Sequence, residues 1–204
     1  MKKINKVAKL ANVLIAVSLI GLIYIFFPVA REESKYQVNK YYDNRDSSQE
    51  EIKKELTPVN IDFSIVIPKI YASAPIVANV DPTDPDIFLP ALRQGIAHAK
   101  GTSFPDQDGN VYLFAHSTDA YYNVGRYNAV FYLLGKLKKG DTIYIYYQGK
   151  KYDYSVEEVR VVSPDAVSYL KKESNEKTLT LQTCYPPGTT LKRLVVIASE
   201  KQNK

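Results

Sequence analysis

The chain is predicted to be mainly β: a closed eight-stranded barrel with short helices, preceded by one transmembrane helix. Three observations predict it. From Ile61 onward, short segments rich in Val, Ile, Tyr and Thr alternate apolar with polar residues. About eight such segments are joined by brief connections, which suits a barrel with small helices in its crossovers. Ahead of them, Leu10 to Ala30 contains no charged side chain.

That uncharged run is 21 residues long, enough to cross a bilayer core as a helix. Lys2, Lys3, Lys6 and Lys9 precede it, and Arg31-Glu32-Glu33 follows. The positive-inside bias puts residues 1–9 in the cytoplasm and everything after the 10–30 anchor outside the cell membrane. Pro28-Val29-Ala30 makes a poor cleavage site for a signal peptide, so the anchor is expected to stay. Residues 31–60 carry 13 charged side chains among 30 and read as a stalk that cannot fold alone. Ser47-Ser48 ahead of Glu50-Glu51 has capping-box spacing and predicts a short helix over 48–56. Tyr36, Tyr41 and Tyr42 are expected simply to sit in this linker.

The barrel domain is expected over 61–200, with a tail at 201–204. Ile61–Ile67 alternates and meets Pro68; Ala74–Val77 is a second short strand. Asp81-Pro82-Thr83-Asp84-Pro85-Asp86 is a turn-rich loop. Its three acids lack EF-hand spacing, so neither calcium nor any other cofactor is expected. Leu89–Gln94 suits one helical turn, Gly95–Ala99 a strand, and 100–109 a loop. Asn110–His116 is a stronger strand. Val130, Leu133, Leu134 and Leu137 share a helical face, which predicts a helix over 124–137 closed by Lys138-Lys139-Gly140. Asp141–Gln148 and Lys151–Val162 form a hairpin about Gly149-Lys150. A short helix is expected over 164–172. Strands Thr178–Cys184 and Arg193–Ala198 close the domain.

Charge excludes one class of partner. The net charge is +5, but four of the 27 basic residues lie before the anchor. The remaining 23 face 22 acidic residues, so no nucleic-acid binding follows. The single cysteine cannot form an internal disulfide. A free thiol outside the cell is unusual and calls for a use.

Cys184 ends the strand Thr178-Leu179-Thr180-Leu181-Gln182-Thr183-Cys184. Period two puts Leu179, Leu181 and Thr183 on one face and Thr178, Thr180, Gln182 and Cys184 on the other, so the thiol rides the polar face. A thiol at a strand end is rigidly held yet open to substrate. It needs a cationic neighbour to become a thiolate nucleophile. Only His98 and His116 offer an imidazole. His116 has the better position, because it too ends a strand; His98 suits core or rim. Arg193, at the start of the last strand, is the natural donor to a substrate carbonyl or oxyanion, and alternation turns Lys192 away from it.

The sequence resembles the sortases, the membrane-anchored cysteine transpeptidases of bacterial cell surfaces. The likeness rests on Thr178-Leu179-Thr180-Leu181-Gln182-Thr183-Cys184, on Leu113-Phe114-Ala115-His116, on Arg193-Leu194-Val195-Val196, and on the order His, Cys, Arg. Gly95–His98 and Gly140-Asp141 with its following strand fit as well, so the likeness spans about 63–199. It implies a sortase-type eight-stranded barrel. It also implies that Cys184 attacks the Thr–Gly carbonyl of an LPxTG-like sorting signal on a secreted protein. His116 would protonate the leaving amine and later deprotonate the incoming one. Arg193 would hold the substrate backbone and the oxyanion, and Thr183 would help to bind the acyl group. The acyl acceptor would be an amine on a peptidoglycan precursor, a pilin lysine, or water.

The chain departs from the family in places. Ala115 stands where a glycine usually precedes the histidine, and 117–137 is long and carries Tyr121, Tyr122, Tyr127 and Tyr132. Cys184-Tyr185-Pro186 is most similar to class D or E members, and no pilin-type Asp-Pro-aromatic lid precedes the barrel. Two alternatives share these residues: a surface cysteine hydrolase that releases proteins to water, and an anchored barrel that binds without catalysis.

Overall fold

The computed structural model describes residues 2–43, 56–117, 130–166 and 176–201. Eight strands close into a barrel in the order β1-β2-β3-β4-β7-β8-β6-β5. They are β1 (Phe63–Ile67), β2 (Ala72–Val80), β3 (Ile96–Ala99), β4 (Asn110–Phe114), β5 (Thr142–Tyr147), β6 (Lys150–Val162), β7 (Thr178–Tyr185) and β8 (Lys192–Glu200). Closure leaves no sheet edge unpaired, which removes the usual site of strand-to-strand aggregation. The pairings β2–β3 and β4–β7 are parallel and the other six antiparallel.

Each expected strand is present, most with longer or shorter bounds. The barrel fills with branched aliphatic side chains, including Ile65, Ile67, Leu113, Ile143, Ile145, Leu179 and Leu181, all fully buried. Burying one such side chain contributes about 1.5–3 kcal/mol, so the central strands are the rigid part of the domain. Leu181 sits between Leu113 of β4 and Val196 of β8 in register. Two buried threonines of β7 correct the expectation of an open polar face: Thr178 and Thr180 donate to Asn110 Oδ1 at 3.2 and 2.9 Å. Their burial is tolerable because the hydroxyls are satisfied.

Helix α1 (Lys2–Asp43) is continuous through both the uncharged run and the first part of the expected stalk. Among the described residues, no helix is long and apolar enough to cross a membrane, so the expected transmembrane span is not found there. Leu10, Val13, Leu14, Ile20, Ile23 and Phe27 are nonetheless exposed on α1. The linker reading also needs correction at Tyr36. It is buried, its ring lies 6.2 Å from that of Tyr71, and Lys136 Nζ sits 5.4 Å from its centroid. Lys136 also pairs with Glu33 at 3.2 Å. Composition missed this docking because one buried aromatic suffices to hold an otherwise charged segment. The helix expected over 48–56 falls almost wholly outside the described residues.

Helix α2 (Pro85–Gln94) is longer than the single turn expected. Asp84, read as part of a turn, caps it by accepting from Asp86 N at 2.9 Å, and Pro85 occupies its first turn. Gly95 follows; a Cβ there would lie 2.2 Å from Pro75 O, so only glycine allows this close approach of α2 to β2. The helix expected over 124–137 is not α-helical in its described part. Residues 130–137 form turns and a 3₁₀ turn at Leu134–Lys136, while Phe131, Leu133, Leu134 and Leu137 are buried. Gly135 weakens an α-helix, and i,i+3 spacing puts Leu134 and Leu137 over each other in a 3₁₀ turn. Of the helix expected over 164–172, residues 164 and 165 form a turn and 167–172 lie outside the described residues.

Candidate active site

Strand β7 is paired on both sides, to β4 and to β8, and this decides what stands beside Cys184. On β8, Arg193 is the direct cross-strand partner of Cys184. Opposed residues in an antiparallel pair share a face and lie about 4.5–5.5 Å apart at Cα. On the other side, β4 runs parallel to β7 with Phe114 opposite Gln182. Two residues further along each chain stand His116 and Cys184. Ala115 N donates to Gln182 O at 3.1 Å, which holds the residue before His116 against β7. Thr183 Oγ1 donates to Ala115 O at 2.9 Å and pins the same segment.

The three expected residues His116, Cys184 and Arg193 therefore line one cleft of about 320 Å³. Its floor is the outer face of β4 and β7, with Tyr112, Phe114 and Gln182. Its walls come from α2, through Phe88 and Leu92, and from the segments around Pro82-Thr83 and Pro164–Ala166. Phe88 packs edge-on against Phe114 with centroids 6.4 Å apart, which joins wall to floor. His116, Cys184 and Arg193 are each half-buried, which suits groups that must meet a substrate. One Arg193 nitrogen donates to Thr190 O and Lys192 O at 3.0 and 3.1 Å, which fixes the guanidinium at the cleft rim. The peptide bond Tyr185–Pro186 that follows is cis.

Thr183 also belongs to the cleft lining, but it is 3% exposed. Its hydroxyl donates to Ala115 O, so it holds the segment that leads to His116. His98 is excluded from the site. It is fully buried on β3, opposite Leu113. Asn79 N donates to its Nδ1 at 3.4 Å, while Nε2 meets Ser103 O and Thr102 Oγ1 at 3.1 and 3.0 Å. These partners specify the neutral Nε2–H tautomer. Burial pushes its pKa down, against an opposing hydrogen bond to Ser103.

Sequence reasoning missed the Tyr112–Gln182 pair. Tyr112 donates its phenol proton to Gln182 Oε1 at 2.5 Å. Burial pushes the phenol pKa up, while the Arg193 guanidinium acts in the opposite direction, so the phenol stays a proton donor. The signal was the period-two step from Cys184 back to Gln182; which strand carried its partner was not legible. Among the described residues, no group of three or more His, Cys, Asp or Glu is placed to hold a metal ion.

Comparisons with known proteins bear on the family and the fold of this chain. Residues 65–201 match the family model for the Sortase domain. Sortase D of Bacillus subtilis (strain 168) is 29% identical over 133 residues, which cover 64% of this chain and 59% of that protein. The match thus spans less than two thirds of that relative's length. Among solved structures, pilus-related Sortase C of Group B Streptococcus superposes with a TM-score of 0.59 at 30% identity, covering 73% of this chain and 71% of that one. Sortase C-1 from Actinomyces oris gives a TM-score of 0.59 at 27% identity, covering 86% of this chain and 98% of that one.

Proposed function

This chain belongs to the sortase family, whose members are cysteine transpeptidases of the cell surface, and from that premise we propose that Cys184 is its nucleophile. The observation that carries the reading is the meeting of three groups: Arg193 faces Cys184 across β7–β8, and His116 lines the same cleft. The substrate is an LPxTG-like sorting signal on a secreted protein, cut between Thr and Gly. The Cys184 thiolate adds to the threonine carbonyl, and Arg193 donates to the oxygen that gains charge. His116 gives its proton to the leaving glycine nitrogen as the C–N bond breaks. A thioester on Cys184 remains. An incoming amine then attacks it, His116 takes the amine's proton, and the new amide leaves with Cys184 restored as thiolate.

Thr183 supports the reaction by holding Ala115, and with it the segment bearing His116. The acceptor is an amine of a peptidoglycan precursor or a pilin lysine. The exposed apolar row of α1, preceded by four lysines, holds the chain at the cell membrane with the barrel outside. Protease treatment of intact cells tests this placement: the barrel should be degraded and residues 1–9 protected.

The chemistry is tested by mass spectrometry of the protein mixed with a panel of LPxTG-like peptides. The expected product is an acyl adduct on Cys184 lacking glycine and all that follows it. Added amine should convert that adduct to an amide faster than water hydrolyses it. An identical adduct on the Cys184→Ala protein, or none with any peptide of the panel, overturns the reading.

A further inference from the structure

We propose that Gln182 is a specificity-determining residue: its carboxamide, oriented by Tyr112, donates a hydrogen bond to the backbone carbonyl two residues before the one that acylates Cys184. The proposal rests on the reading of Cys184 as nucleophile. It begins from the pairing of β7. Because β8 pairs with β7 through Tyr185 and β4 pairs with it through Gln182, no open edge is left along 178–182 for an added strand. The proposed peptide lies over the face of the sheet, in line with β7, where side chains meet its backbone groups. A carbonyl desolvated there without a donor weakens binding.

Gln182 and Cys184 lie on the same face of β7, two residues apart, which is about 6.6–6.8 Å along the strand. An extended peptide advances by the same amount in two residues. A peptide that runs along β7 in the same direction, with its reacting carbonyl over Cys184, thus brings the carbonyl two residues earlier over Gln182. Arg193, the direct partner of Cys184, serves the reacting carbonyl and lies at the wrong level to serve this one. Thr183 has its hydroxyl engaged with Ala115 O.

Tyr112 makes the orientation of Gln182 definite. Tyr112 is 2% exposed and its phenol donates to Oε1, so the carboxamide oxygen is occupied. The two N–H donors on the other limb of the fork are left to face the cleft that Gln182 lines. Hydrogen-bond recognition of this type discriminates strongly, because a substrate without the matching group leaves a buried partner unpaired.

The test compares rates of Cys184 acylation for two peptides that differ at one atom. One carries the ordinary carbonyl two residues before the reacting one; the other carries a thioamide there, a weaker acceptor. The native chain is expected to prefer the ordinary peptide in kcat/KM by about tenfold. Gln182→Met, close in length, should lose that preference, and Tyr112→Phe should reduce it partway. A thioamide placed one residue nearer the reacting carbonyl controls for the size of sulfur and should show no dependence on Gln182. An unchanged preference in Gln182→Met overturns the proposal. Should that variant fail to fold, an unchanged preference in Tyr112→Phe overturns the orienting role, and absence of preference in the native chain overturns the hydrogen bond itself. Failure of the native chain to be acylated by either peptide instead overturns the assignment of Cys184, and the proposal with it.

Discussion

His98 lies on β3 and His116 just past the end of the neighbouring β4, and the two differ in burial. His98 stands opposite Leu113 within the β3–β4 ladder, sealed by Phe63 and Phe104 at centroid distances of 5.7 and 4.6 Å. Its ring nitrogens are committed to Asn79, Ser103 and Thr102. His116 stands two residues past the end of β4, half-buried, on the cleft that also holds Cys184. An imidazole can shuttle protons only where its nitrogens can exchange partners. Two or three residues of strand length separate a group buried within the barrel from one that lines the cleft.

The sharpest break of this contrast is substitution at the site itself. Cys184→Ala should lower transpeptidation by at least about 10⁴-fold, since no other thiol can form the acyl adduct. His116→Ala should cost about 10²–10⁴-fold in kcat/KM while the melting temperature barely moves. His98→Ala should do the reverse: it should lose about 2–4 kcal/mol of stability through an unfilled space and broken hydrogen bonds, yet keep measurable activity in the folded protein. Complete loss with His98→Ala at a temperature where it stays folded, and activity in His116→Ala, would exchange their roles.

A second test uses pH. The folded pKa of His98 is depressed by burial, so the unfolded chain binds its proton first. Stability from this group is complete above its unfolded pKa of about 6.5 and declines as the pH falls below it. A thermal-melt series from pH 7.5 to 5 should show that decline. His98→Gln should flatten it; an equally steep slope in the variant would remove His98 as the cause.

Two smaller effects concern how the site is held. Thr183→Val should cost about 1–2 kcal/mol, because a buried Ala115 carbonyl loses its donor, and should slow acylation by loosening the His116 segment. Stability loss with no change in acylation would confine Thr183 to the fold. Lys136→Ala should cost less than about 1 kcal/mol, since its pair with Glu33 is largely exposed. Hydrogen exchange in residues 31–43 is the sensitive reading; no increase there would mean that Tyr36 alone docks the helix.

Much of the candidate cleft was legible in the sequence because its groups sit at strand ends. The period-two pattern of 178–184 marks a strand, and Pro186-Pro187-Gly188 marks its end, so Cys184 had to be near an opening. His116 and Arg193 bound their own strands in the same way. Elements held mainly by tertiary contact were less legible. The leucines of 133–137 satisfy a helix and a 3₁₀ plug equally well, and Tyr36 gives no local sign that Tyr71 waits for it.

What the sequence alone determined is the strand inventory, the single thiol, the two imidazoles and the candidate guanidinium, because side-chain alternation and residue chemistry are local properties. Only the tertiary structure decided that β4 runs parallel to β7 with Phe114 level with Gln182, and that β8 returns Arg193 to Cys184. Strand order and register depend on which distant segments bury each other's apolar faces. That long-range choice turns three strand ends into one cleft, closes His98 away from it, and brings Tyr112 to Gln182.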